Sequence, residues 1–123
     1  MHQKNINLNN APLSTKIGFF ALILAFFIFV NHSMKNEAYD YSLSQIKSND
    51  EVLLYLGGSI EAGFIVTGET SSIETEIEYS VQGTLNSADV YLYAIVKNGY
   101  WVIEELIVTV DGVNKVIDAT PIR

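Results

Sequence analysis

Ala88–Val110 reads ADVYLYAIVKNGYWVIEELIVTV, two apolar runs joined by Asn98 and Gly99. A two-residue hairpin turn of type I′ needs positive φ at both central positions, and Asn-Gly supplies it with little strain, so the stretch predicts an antiparallel hairpin. In the first arm, Ala88 to Lys97, the residues Val90, Leu92, Ala94 and Val96 oppose Tyr91, Tyr93 and Ile95. Both faces are apolar, which places this arm in the middle of a sheet. In the return arm, Tyr100 to Val110, the alternation slips between Ile103 and Leu106, and a bulge at Glu104 and Glu105 accounts for the slip.

Upstream, Ile73 to Gly83 alternates cleanly. Thr75, Ile77, Tyr79 and Val81 face one way and Glu74, Glu76, Glu78, Ser80 and Gln82 the other, so one face is buried and one is wet. Ile60 to Thr70 is an earlier strand region, interrupted by Gly63 and Gly68, either of which can mark a bulge. Downstream, Asp111 and Gly112 predict a second turn of the same kind, followed by a short strand from Val113 to Asp118. Ahead of the strands the period becomes helical. Tyr39, Leu43 and Ile46 share a face between Asn36, a capping residue, and Ser48, with Glu37 in the first turn. Asn49 and Asp50 break that helix, and Asp50 is positioned to cap a second one, Glu51 to Leu56, with Val52, Leu53 and Leu56 on one face and Gly57 ending it.

Residues before 35 differ in kind. Ile17–Val30 reads IGFFALILAFFIFV, without a charge, amide or hydroxyl among its side chains. As a helix the run covers about 21 Å of a hydrocarbon layer roughly 30 Å thick. Extension to Leu13 and Met34 gives about 33 Å, with Lys16 reaching outward to the headgroups and Asn31 and His32 at the opposite interface. A cleaved signal peptide shares the basic start and apolar core, but Asn31 to Asn36 offers no pair of small residues at the spacing a signal peptidase reads. The expected organisation is a disordered cytoplasmic tail over 1–16, a transmembrane anchor over 17–34 and an extracytoplasmic domain over 35–123, with secretion after cleavage as the rival reading. Residues 1 to 34 carry Lys4 and Lys16 and no acid, whereas all fourteen acidic side chains lie beyond them. The N-terminus is therefore expected in the cytoplasm and the domain across the inner membrane, periplasmic or extracellular, or in the intermembrane space of a mitochondrion. The expected fold class is α+β: an N-terminal transmembrane helix, then two helices packed on the apolar face of an antiparallel meander of about five strands.

A net charge of −7 argues against nucleic acid or anionic lipid as partners of the domain and favours basic partners or simple solubility. The chain has no cysteine, which excludes disulfides and thiolate metal sites. Glu74, Glu76 and Glu78 project from one face about 7 Å apart. Such a row can receive a basic segment, can contribute to a calcium site, or can serve as a charged edge that discourages strand addition; the calcium reading lacks the Asp-rich glycine loop that ion usually takes. With Tyr91 and Tyr93 these glutamates form the candidate partner-binding face, although aromatic residues in such strands also fill cores and cross-strand pairs. Glu104 and Glu105 offer paired carboxylates for acid and base work only if a bulge brings them together. His32 and Met34 suit copper or simply an interfacial helix end. The glycines match no phosphate cradle. With no histidine beyond residue 34, no cysteine and no serine in a nucleophile elbow, the sequence predicts no enzyme and no cofactor.

The order of features resembles one family. An apolar segment is followed by a helix with Ala38 and Tyr39, then a short helix with Val52, Leu56 and Gly57, and then Ile60 and Gly63. Tyr79, Val81 and Gly83 come next, then Ala88 with its strand, and Trp101 after an Asn-Gly turn. This set resembles the cytochrome oxidase complex assembly protein 1 family, related in fold to the mitochondrial inner-membrane translocase subunit twenty-one, from the apolar segment to about Ile117. The resemblance implies a non-enzymatic, single-pass factor that helps assemble the terminal oxidase by protein contact, with subunits of a respiratory oxidase or another membrane complex as partners and no catalytic residue. The alternative is an extracytoplasmic ligand-binding or envelope-maintenance domain on the same scaffold, which an enclosed apolar pocket would favour.

Overall fold

In the computed structural model, which describes residues 21–24 and 34–122, Asn98 and Gly99 take φ values of 52° and 81°. Both are positive, as the type I′ turn requires. They join β3 (Ser87–Lys97) to β4 (Tyr100–Val110). The five strands form one antiparallel sheet in sequence order, with β1 (Glu61–Thr70) and β2 (Glu74–Gln82) before the hairpin and β5 (Lys115–Asp118) after it. β3 is central, and its two apolar faces follow from that position. Tyr93 pairs with Glu105 and Ala94 with Ile103, so Glu104 is the extra residue of a bulge. The bulge keeps both Ile103 and Leu106 on the buried face.

Two helices cover that face. α1 (Glu37–Ser48) starts at Asn36, whose side chain accepts a hydrogen bond from the Tyr39 N–H at 3.1 Å. α2 (Asp50–Leu56) ends at Gly57, where φ is 81°. Ala38, Tyr39 and Ile46 of α1, with Val52 and Leu56 of α2, join Ile77, Tyr79, Val81, Val90, Leu92, Leu106 and Val108 in one core. Burial of these side chains at about 25 cal/mol per Å² is the main force holding helices to sheet.

Three local expectations change, and a fourth, which of two glycines marks the bulge of β1, is resolved. The cap of α2 is Asn49, whose Oδ1 accepts from the Val52 N–H at 3.0 Å. Asn49 is the one extended residue between the helices, so Asp50 becomes the first helical residue, where its charge still suits the dipole. On α1 the buried stripe includes Ser42, while Leu43 is only half-buried. Asp111 and Gly112 do not form a two-residue turn. The Asp111 N–H still donates to Ser87 O at 2.9 Å, extending β4, and Asp111 lacks positive φ, so the chain needs residues 111–114 to reverse before Lys115 pairs with Val110. In β1 the register shifts between Ala62 and Val66, beside Gly63, whereas Gly68 pairs regularly with Ile77.

The chain divides into two units, Met1–His32 and Ser33–Arg123, and the sheet and both helices belong to the second. The expected tail and most of the expected anchor lie outside the described residues. Among those described, no helix is long and apolar enough to cross a membrane.

Candidate functional site

The face of the sheet turned away from the helices is built from β2 and its neighbours. Glu74, Glu76 and Glu78 point outward because Thr75, Ile77, Tyr79 and Val81 point into the core. Cross-strand partners share a face. Glu76 stands opposite Tyr93 and Glu78 opposite Tyr91, so the five residues nominated from sequence lie side by side. The tyrosines reach diagonally. Tyr91 OH donates to Glu76 Oε2 at 2.8 Å and Tyr93 OH to Glu74 Oε2 at 3.1 Å. Accepting carboxylates disfavour loss of the phenolic proton. The bond to Glu76, helped by some desolvation, pushes Tyr91 up to about 12, and Glu74 raises Tyr93 in the same direction. Both phenols are thereby held as neutral donors.

Register extends this acidic field. Glu69 lies opposite Glu76, Glu105 opposite Tyr93, and Asp89 opposite Ser80. On this face Lys97 is held by Glu104 at 3.1 Å. Glu104 is thus committed to an ion pair while Glu105 faces Tyr93, a division of labour unlike a matched acid and base. An open groove of about 470 Å³, lined in part by Ile65, Thr67, Glu78, Asp89 and Tyr91, runs across the face. A smaller hollow of about 190 Å³ lies between Glu69, Ser71, Glu74 and Glu76.

One reading of the glutamate row is corrected here. β2 is an interior strand, paired on both sides, so Glu74, Glu76 and Glu78 cannot guard a sheet edge. Among the described residues no group of three or more histidine, aspartate or glutamate side chains converges to hold a metal ion. Of the two residues considered for copper, His32 lies outside the described residues and Met34 packs against the core. Sequence reasoning missed Glu69, Asp89 and Glu105 as members of the face. The signal was present for Glu105, since closing the Asn-Gly turn at Lys97 and Tyr100 and allowing the bulge sets it against Tyr93.

The carboxylates of this face can accept cationic and hydrogen-bond-donating groups and the phenol oxygens can accept hydrogen bonds, on an α+β scaffold whose helices occupy one sheet face and leave the other open. The chain belongs to the cytochrome oxidase complex assembly protein 1 family, whose model matches residues 13–120. No curated protein and no solved structure matches it. The residues behind the family resemblance are scaffold: Ala38, Tyr39, Val52, Leu56, Ile60, Tyr79, Val81 and Ala88 are all buried. At Gly83 a Cβ would collide with the Leu56 carbonyl, where the end of α2 meets the β2–β3 turn.

Proposed function

We propose that this protein assists assembly of cytochrome oxidase as a single-pass membrane factor, acting by protein contact and not by catalysis. The observation that carries this reading is the family match over residues 13–120. The apolar run at 17–30 and the charge asymmetry around it support an anchor over 17–34, with the N-terminus in the cytoplasm and residues 35–123 periplasmic, extracellular or in an intermembrane space. The contact surface is the open sheet face, where Glu74, Glu76, Glu78, Tyr91 and Tyr93 meet a cationic segment of an oxidase subunit or another member of the membrane complex. Charge complementarity supports this choice, since acids dominate the face and its lysine is already paired. The ligand-binding alternative gains no support from the grooves of about 470 and 420 Å³, which open to solvent.

Oxidase subunits are expected to co-purify with the full-length protein from gently solubilised membranes, and a strain lacking it is expected to hold less assembled oxidase. Normal oxidase content in that strain would sink the proposal.

A further inference from the structure

We propose that the end of the sheet formed by the β1–β2 and β3–β4 turns rests in the headgroup layer of a lipid bilayer, through Tyr41, Ile73, Tyr100 and Trp101. The inference rests on the reading of residues 17–34 as an anchor. Asn36 Nδ2 donates to Thr70 Oγ1 at 3.0 Å, which fastens the start of α1 to the last residue of β1. Glu74 pairs with Ile95, and the Val96 N–H donates to Ile73 O at 2.8 Å. The start of α1, the turn at 71–73 and the Asn98-Gly99 turn therefore share one end of the sheet. Five residues separate Val30 from Asn36, six Cα-to-Cα steps that span at most about 22 Å. Whatever holds the apolar run holds this end of the domain within that distance.

The surface there fits a bilayer interface. Ile73 is 67% exposed, Tyr100 76% and Tyr41 56%. Trp101 is held by packing against the core, and between it and Tyr41 lies a hollow of about 290 Å³ with mainly apolar walls, lined also by Val102 and Ile103. The turns themselves, Ser71-Ser72-Ile73 and Asn98-Gly99-Tyr100, contain no acid or base in a chain of net charge −7. Of the charges that flank them, Lys97 is bound by Glu104 at 3.1 Å, and Glu74 accepts from Tyr93 at 3.1 Å. Tyrosine and tryptophan carry an apolar body and a polar tip, which suits the headgroup level. Glu69 and Glu74 border the β1–β2 turn and Glu37 and Asp40 lie in the first turn of α1, so the fit is of the uncharged turn tips to a zwitterionic interface and not to anionic headgroups.

Trp101 is the single tryptophan of the chain and reports directly on the proposal. The full-length protein is reconstituted into phosphatidylcholine vesicles, washed with carbonate, and compared with vesicles containing a lipid that bears a nitroxide on its headgroup. Trp101 emission is expected to fall at least about twofold, as for an aromatic side chain at the interface. A Trp101→Phe/Leu85→Trp chain moves the reporter to the β2–β3 turn at the opposite end, and its emission is expected to be unchanged. Ile73→Glu with Trp101 retained is expected to reduce the quenching. Retention on the vesicles without quenching of Trp101 overturns this proposal and leaves the anchor standing, the result expected if the end docks on protein instead. Equal quenching of both reporters overturns it as well. Loss of the chain in the carbonate wash overturns the anchor reading and this inference with it.

Discussion

Ser42 lies on the buried stripe of α1 because its hydroxyl has partners there. It donates to Tyr39 O at 2.7 Å and lies 2.6 Å from Tyr79 OH, so the phenol supplies the second proton. Ser42→Ala leaves the phenol of Tyr79, 4% exposed, without its bond, and is expected to lower unfolding free energy by about 1–3 kcal/mol. Thr75 is the opposite case, a fully buried residue whose Oγ1 has no hydrogen-bond partner. Thr75→Val is expected to raise stability by about 1 kcal/mol, read as a higher urea midpoint at unchanged slope. Tyr91 gives a pH signature. Its folded value is raised from the ordinary 10 to about 12, so the folded state keeps a proton the unfolded chain loses. That contribution is complete below pH 10 and disappears as pH rises through about 12, where Tyr91→Phe is expected to show a shallower alkaline loss of stability. The effect is small because solvent screens a side chain at this position.

At the scale of the element, caps and turns decide where each segment stops. Asn49 closes α1 through its N–H to Ile46 O at 3.2 Å and opens α2 through its side chain to the Val52 N–H at 3.0 Å. Asn49→Ala is expected to cost about 1 kcal/mol in thermal or urea unfolding. Asp50→Ala, which removes a favourable charge but no cap, is expected to cost less than about 0.5 kcal/mol. Equal costs would return the capping role to Asp50. Both residue types are good caps, and the choice between them depends on where α1 ends, which its packing on the sheet sets. The same reasoning separates the two turns: Asn98-Gly99 closes on a regular ladder, whereas Asp111 is still paired to Ser87 and has no freedom to turn.

For the whole molecule, the helices cover one side of the sheet and the acids gather on the other. Glu69 and Glu76 stand directly opposite each other, a like-charge pair that costs stability and that partner binding would relieve. A Glu74→Gln/Glu76→Gln/Glu78→Gln protein is expected to melt no lower than wild type and to bring down about tenfold less oxidase subunit. Recovery of the wild-type protein's partner is likewise expected to fall with salt, as contacts between exposed charges do. Undiminished recovery by the triple variant would move the contact surface elsewhere on the domain.

The sequence by itself determined the α+β class, the hairpin at Asn98-Gly99, the bulge at Glu104, the central position of β3 and the outward direction of Glu74, Glu76 and Glu78. Each of these rests on a local cause, a two-residue period or a φ that only certain residues accept. The meander expected from sequence already sets β2 between β1 and β3, and the tertiary structure showed the consequence, that its glutamates sit within an open face and not along an edge. The tertiary structure alone decided the hydrogen-bond partners of Tyr91 and Tyr93, the burial of Ser42 and the addition of Glu69 and Asp89 to the acidic field. Those features depend on the register between neighbouring strands and on how α1 seats on the sheet, and both are set by the fit of the entire core.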